Sequence, residues 1–389
     1  MTNAELNNFR PLPISDTHIH YLYAKPLEES LGIFKTFIEY FGMKSITLLS
    51  IAQGSGHRGF DPTCNIKGLY LKSRINGDGA ARAYVYGSPI HFYDERDTAE
   101  GYLSQVEKMY ELGVDGYKLL DGKPAMRKAL GKPLCDPVFE GMYEFIEQKG
   151  MPLKIHMNDP RKYWGPKELL TPGQIARGWW CGDGTYPTFD EVYGELEAIL
   201  TRHPKLKLCI AHMGYLTDDY PHAVRLLEQF ENLTFDLTPG AATFKSFTDN
   251  PELWSEFLER YSHRIFLGSD TYNLIEDTEE NVARGIFERS GGRITLVRRM
   301  LEHRAEDSFE YAPFGTLRPI NLPDGMLKNI YTENALRLHG EGREINRSAA
   351  IREAERLHYE LSHGAYPEFN PEELPLELSN LELIIKHFS

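Results

Sequence analysis

The chain has 389 residues, of which 41% are hydrophobic and 26% charged, an ordinary balance for a folded globular protein that argues against wholesale disorder. Its 57 acidic and 43 basic residues give a formal net charge of −14, which argues against nucleic acid as a partner because binding a polyanion needs clustered cations. The amino terminus lacks a basic and then apolar leader, and no apolar run is long enough to span a bilayer, so we expect a cytoplasmic protein with no membrane partner.

Short apolar or β-branched runs recur along the chain and alternate with amphipathic stretches. Such runs are typical of parallel strands that are buried on both faces. Repeated strand–helix–strand units predict right-handed crossovers, and hence an α/β fold that is either a closed barrel or a doubly wound sheet. No GxGxxG or P-loop follows the first run, which favours the (β/α)8 TIM barrel. The eight predicted strands lie at 16–23, 45–52, 81–89, 113–120, 152–158, 206–214, 232–239 and 264–271.

Several intervening segments have recognisable helix ends. Thr188 and Glu191 form a capping box, which predicts a helix that runs towards His203. The long segment 159–187 contains Trp164 and exceeds the usual connection length. It is interpreted either as a lid over the site or as a surface excursion that packs its own aromatic residues.

Ionisable residues stand where the predicted strands end. Asp16, His18 and His20 share the parity of the first strand, so their side chains point to one face. The carboxyl ends of barrel strands converge on the mouth where active sites of this fold lie. Three histidines and a carboxylate suit Zn²⁺ or a similar divalent ion and leave room for water. Four other predicted strands end in one ionisable residue each. These residues are Lys118, His156, His212 and Asp270.

The motifs DTHIH (16–20), IHMN (155–158), AHMG (211–214), GSD (268–270) and IYTENALRL (330–338) together resemble the amidohydrolase superfamily, specifically its amidohydrolase-related branch. The resemblance covers about residues 14–340 and implies a complete TIM barrel, followed by a helical extension over 341–389 that packs on it. It also implies one divalent metal ion, Zn²⁺ or alternatively Mn²⁺. Its ligands would be His18, His20, His156 and Asp270.

The resemblance further implies a metal-dependent hydrolase that acts on an amide, a lactone or another ester of a small molecule. Asp270 would take a proton from the activated water, and His212 would orient that water or stabilise the developing oxyanion. The same branch contains decarboxylases and hydratases, which are the alternative. Decarboxylases often have a glutamate before the first histidine, whereas this chain has Asp16, a mild argument for hydrolysis. An inactive metal-binding barrel is a third reading, and the retention of every expected ligand speaks against it.

Two residues of the motif set have more than one interpretation. Lys118 is read as a contact for a substrate carboxylate, with an ion pair to a neighbour such as Asp121 as the structural alternative. A carbamylated Lys118 that bridges two metals is the family's other possibility. Asp16 is read as a residue that orients a ligand histidine, or as a plain strand-end carboxylate. Whether the chain forms a homo-oligomer is left open.

Candidate substrate contacts follow neighbouring strands and suggest a ring-bearing or anionic small molecule. Besides Lys118, they are Arg58, His91, Arg161 and Trp164.

Overall fold

The computed structural model describes residues 7–22, 24–52, 60–240, 242–275, 280, 291–311 and 314–389. Within them, eight parallel strands form one sheet in sequence order. All eight predicted strands are therefore confirmed, and so is the (β/α)8 fold. The strands are β1 (Ile14–His20), β2 (Met43–Leu49), β3 (Arg82–Gly87), β4 (Gly116–Gly122), β5 (Pro152–Met157), β6 (Lys207–Ile210), β7 (Leu233–Asp236) and β8 (Ile265–Phe266).

Backbone hydrogen bonds between the first and last strands nearly close the barrel. Thr17 N donates to Leu267 O over 3.0 Å, and His20 N donates to Thr271 O over 2.8 Å. After β8 the chain continues beside β1, although Asp270 has φ +58°, and Thr271 makes a parallel bridge with Ile19. The predicted eighth strand, 264–271, thus corresponds to a short strand followed by a segment that lies along β1.

Helices surround the barrel and join successive strands. A contiguous cluster of buried apolar side chains connects them to the strands. The helices are α1 (Leu27–Phe41), α2 (Cys64–Asp78), α3 (Ala99–Leu112), α4 (Pro124–Leu130), α5 (Glu140–Gln148), α6 (Pro172–Ala176), α7 (Phe189–Arg202), α8 (Tyr220–Gln229), α9 (Thr243–Asp249), α10 (Pro251–Tyr261), α11 (Gly292–Glu302), α12 (Asp324–Lys328), α13 (Asn334–His339), α14 (Arg347–Ser362) and α15 (Leu374–Phe388). A short hairpin pairs β9 (Phe309–Tyr311) with β10 (Gly315–Leu317).

The capping box at Thr188 is present at the start of α7, with both reciprocal hydrogen bonds formed. The strand boundaries differ from those predicted, and the local backbone explains two of the differences. The fourth strand begins at Gly116 rather than at residue 113, because Gly113 ends α3 in the left-handed conformation, with φ +96°. The sixth strand ends at Ile210 rather than at residue 214, since His212 and the residues after it adopt positive φ.

The last two helices pack against each other and against the outside of the barrel. On α15, Glu377 is buried and accepts hydrogen bonds from Thr63 Oγ1 (2.8 Å) and Lys67 Nζ (3.0 Å). Asn380 accepts one from Leu27 N (3.2 Å). Helix α15 therefore holds the segments that follow β1 and β2. Among the described residues, no helix is long and apolar enough to cross a membrane.

Candidate metal and active site

The alternation of β1 brings His18 and His20 together at the mouth of the barrel. Both are buried, and their Nε2 atoms lie 3.1 Å apart. Each Nδ1 lies against an acceptor: His18 Nδ1 is 2.9 Å from Asp236 Oδ2, and His20 Nδ1 is 3.1 Å from the carbonyl oxygen of Leu49. Since a carboxylate and a carbonyl can only accept, both Nδ1 atoms carry the hydrogen, and both Nε2 lone pairs face the same point.

Asp270 supplies the third converging atom. Its Oδ1 lies 3.3 Å from His20 Nε2 and 3.9 Å from His18 Nε2. The other oxygen, Oδ2, pairs with the Arg293 guanidinium and accepts a hydrogen bond from Tyr272 OH. Although burial opposes ionisation, the Arg293 guanidinium holds the pKa of Asp270 well below its usual range. Asp270 is therefore ionised near neutral pH, the form in which a carboxylate binds a metal.

These three side chains fit a divalent cation. One ligand atom from each lies within 4.8 Å of the others. Burial lowers the pKa of His18 and of His20, so both imidazoles are neutral and can ligate. Two imidazole lone pairs and a carboxylate oxygen that face one another repel, and a cation between them would remove the repulsion.

His156 and His212 continue the imidazoles of β1 in a row across the mouth. The ring centroids of His20 and His18 are 5.0 Å apart, those of His18 and His212 are 5.4 Å apart, and those of His212 and His156 are 4.9 Å apart. His156 thus lies at the far end of the row and outside the group formed by His18, His20 and Asp270. Its buried Nε2 and the buried Nδ1 of His212 have no hydrogen-bond partner among the described residues.

His212 lies in a turn rather than at a strand end, which corrects the sequence prediction. In this turn, Ala211–Tyr215, His212, Met213 and Gly214 have φ values of +57°, +52° and +61°. A side chain at Gly214 would meet Tyr193 OH at 2.1 Å. The turn presents the His212 ring to Tyr215, on which it stacks at 5.4 Å. Burial and then the neighbouring His156 lower the pKa of His212 to about 3, so its imidazole is neutral.

The site also contains Asp236, at the end of β7, and Lys154, on β5. Neither residue was predicted from the sequence. Asp236 is fully buried, and Lys154 Nζ lies 2.8 Å from its Oδ2. One sequence feature could have identified Asp236. It ends an apolar run, just as Asp270 follows one. Arg293 was also missed, because it follows β8 by more than 25 residues and nothing local marks it.

Lys118 and Asp16 each had more than one interpretation. Lys118 does not pair with Asp121, so its contact with a substrate carboxylate stays a prediction. Its buried Nζ has no hydrogen-bond partner within the described ranges, and burial and then Lys154 lower its pKa to about 8. Asp16 Oδ1 accepts the backbone N–H groups of His18 (3.0 Å) and Ser269 (3.1 Å). Asp16 thus joins β1 to the chain after β8, whereas Asp236 contacts the ring of His18.

Three of the five predicted substrate contacts, His91, Arg161 and Trp164, have partners within the protein. His91 is buried, with Nε2 2.6 Å from Asp121 Oδ1 and Nδ1 2.8 Å from Tyr102 OH, so both ring nitrogens are engaged. Arg58, another predicted contact, lies outside the described residues.

Arg161 and Trp164 pack the segment 159–187 on itself and on α7. Arg161 pairs with Asp190 and Asp219, at 3.3 Å each, and its guanidinium lies over the ring of Phe189. Trp164 Nε1 donates to Pro187 O over 2.9 Å. These contacts agree with a surface excursion that packs its own aromatic residues, and the contact of Arg161 and Trp164 with a substrate stays a prediction.

A parallel (β/α)8 barrel with a His–His–Asp group at the carboxyl ends of its strands is typical of one class of proteins. These are the barrel enzymes, whose active sites lie at that face. The family model described as Amidohydrolase matches residues 72–340, which is well over half of the chain. The chain belongs to the amidohydrolase family, whose superfamily usually binds a metal. The match covers His156, His212 and Asp270 and begins after β1.

Similar solved structures include an uncharacterised TIM-barrel protein from Bordetella bronchiseptica, with 12% identity, a TM-score of 0.49, and coverage of 84% of this chain and 98% of that one. A 4-oxalomesaconate hydratase from Rhodopseudomonas palustris has 15% identity, a TM-score of 0.47, and coverage of 88% and 99%. A 2,6-dihydroxybenzoate decarboxylase from Rhizobium has 13% identity, a TM-score of 0.42, and coverage of 73% and 99%. No curated protein matches the chain.

Proposed function

We propose that this protein is a metal-dependent hydrolase that acts on an amide, a lactone or another ester of a small molecule. The observation that carries the proposal is the convergence of His18 Nε2, His20 Nε2 and Asp270 Oδ1 within 4.8 Å of one another. The Nδ1 atoms of both histidines already lie against acceptors, as is usual for histidines that ligate a metal.

One divalent ion, Zn²⁺ or alternatively Mn²⁺, would be held by His18, His20 and Asp270, with His156 as the fourth ligand. The buried Nε2 of His156 makes no hydrogen bond within the described ranges and lies 3.6 Å from Asp159 Oδ1, so a bound cation would satisfy it. When bound, such an ion lowers the pKa of water far enough for a nucleophile to be available at neutral pH.

The protein's own groups then move the protons. Asp270, which is ionised, accepts the proton of the attacking water and passes it to the leaving group. His212 is neutral and buried beside His18, and it orients the water or stabilises the charge that develops on the carbonyl oxygen. Because water is largely excluded around these residues, each of these interactions is stronger than in solution.

Arg293 and the rings of Tyr215 and Tyr272 favour a ring-bearing or anionic substrate. Tyr272 stacks on His20 with 5.9 Å between the ring centroids, and Arg293 lies 5.4 Å over Tyr272. About a third of the Arg293 side chain is exposed, while its guanidinium pairs with Asp270 Oδ2. A planar, negatively charged substrate would match these surfaces.

Metal analysis and isotope labelling test the proposal. Purified protein should carry about one divalent ion per chain, and protein that neither contains nor takes up zinc or manganese would overturn the metal-site assignment. Two ions per chain would instead favour the carbamylated Lys118. A screen of lactones, amides and carboxylic acids then identifies a substrate for reaction in ¹⁸O-labelled water.

Hydrolysis places labelled solvent oxygen in a new carboxylate and releases no carbon dioxide. Release of carbon dioxide without that label would assign the protein to the decarboxylases, and label in a new hydroxyl group would assign it to the hydratases. Asp270→Asn should abolish labelling in metal-replete protein, since the variant lacks the proton acceptor.

A further inference from the structure

Asp236 receives hydrogen bonds from two parts of the candidate site at once. Its Oδ2 lies 2.9 Å from His18 Nδ1, and its Oδ1 accepts the backbone N–H of His212 over 2.8 Å. The backbone N–H of Thr238 also donates to Oδ1, over 3.2 Å. These residues are far apart in sequence, so this one carboxylate connects β1, the turn after β6 and the segment after β7.

Each contact constrains a different feature of the site. The contact at Oδ2 places the hydrogen of His18 on Nδ1 and leaves the Nε2 lone pair for a metal. The contact at Oδ1 holds the backbone of His212 where φ is +57°, a conformation that L-residues avoid unless the surroundings enforce it. The relative positions of His18 and His212 therefore depend on Asp236.

Lys154 pairs with Asp236 inside the protein. Its Nζ donates to Asp236 Oδ2 over 2.8 Å and is anchored by Thr17 O (2.8 Å) and Thr17 Oγ1 (3.0 Å). All the partners of Asp236 named above donate, so only a group with two accepting oxygens satisfies them.

We propose that Asp236, held by Lys154, is a positioning residue that sets both the ring of His18 and the backbone of His212, and so determines the affinity of the site for its divalent ion. This inference rests on the proposed function, because it requires that His18 bind a metal. Asp236 itself does not face the converging Nε2 atoms.

Asp236→Asn is the direct test, because an amide has almost the same shape but only one accepting oxygen. Whichever way the amide is turned, its NH₂ group meets a donor. We expect the dissociation constant for Zn²⁺, measured by chelator competition, to rise by about 10-fold to 100-fold, the range typical for groups that orient metal ligands. Unfolding of the metal-free protein is measured in parallel.

Asp115 provides a matched control. It is a second buried aspartate that pairs with a lysine, at 2.7 Å from Lys72 Nζ, and it accepts backbone N–H groups from Val85 (2.8 Å) and Arg343 (2.7 Å). It precedes β4 and so lies at the opposite end of the barrel. Asp115→Asn should destabilise the fold by a comparable amount and leave the zinc dissociation constant within about twofold of wild type.

The outcomes separate the two proposals. If the wild-type protein binds no divalent ion, the proposed function fails. If it binds zinc and Asp236→Asn changes the dissociation constant no more than Asp115→Asn does, Asp236 is merely structural and the inference is overturned. If Asp236→Asn does not fold, Lys154→Gln is compared with Lys72→Gln. An increase of about tenfold in the zinc dissociation constant of Lys154→Gln alone supports the inference, whereas equal constants in the two variants refute it.

Discussion

Gly268 lies between β8 and Asp270, and a methyl group on its Cα would collide with the residues around His18. An ideal Cβ would lie 2.4 Å from Thr238 Oγ1, 3.0 Å from His18 Cβ and 3.3 Å from Asp236 Cγ. Ordinary contacts begin at 3.4 Å, so the first of these is about 1 Å too short. Thr238 Oγ1 is itself 3.0 Å from His18 Nδ1. A shift of Thr238 that relieves the clash would therefore displace the ring of His18, a proposed metal ligand.

Gly268→Ala should therefore lower the free energy of unfolding by about 1–3 kcal/mol, as overpacking of a buried site usually does. We also expect weaker zinc binding, because the ring of His18 must shift. Urea denaturation of metal-free protein measures the first effect, and chelator competition measures the second.

Gly194→Ala is the control, since Gly194 lies in α7 and its added Cβ would meet nothing within 4 Å. It should stabilise the helix by about 0.5–1 kcal/mol and leave zinc affinity unchanged. A Gly268→Ala protein with wild-type stability and wild-type zinc affinity would refute the packing described around His18.

Two further predictions concern the row of imidazoles and the C-terminal helix. His156→Ala should lose metal, whereas His212→Asn should keep its metal and lose turnover by about 100-fold to 10,000-fold. If the wild type bound two metals and His212→Asn halved that metal content, these roles would be wrong. Glu377→Gln should destabilise the protein by about 1–3 kcal/mol in urea denaturation, because it removes the buried charge that pairs with Lys67. Glu382→Gln, on the exposed side of the same helix, should change stability by no more than about 0.5 kcal/mol, and equal losses in both variants would contradict this account.

Arg293 shows why a charged residue at the site can escape sequence analysis. Its partner Asp270 stands in a short motif that follows an apolar run, but Arg293 lies in an ordinary amphipathic helix, α11. Only the path of the chain after β8 brings its guanidinium to Asp270 Oδ2. His91 is the opposite case, because it follows a strand as site residues do, but only the tertiary structure shows that Asp121 and Tyr102 engage both of its nitrogens.

Local periodicity in the sequence was enough to predict several features of the fold. Apolar runs located all eight strands, the capping box at Thr188 located the start of α7, and the alternation of β1 placed His18 and His20 on one side. These features follow from backbone geometry and from hydrogen bonds within a few residues. They required no knowledge of which strands are neighbours.

Tertiary structure decided which side chains meet. Asp236 lies 218 residues from His18 in sequence, and Lys154 lies 82 residues from Asp236, so their contacts depend on strand order and register around the barrel. The left-handed turn at His212 likewise depends on a carboxylate from β7. Local sequence preferences disfavour that backbone conformation, and a hydrogen bond to a distant strand helps to stabilise it.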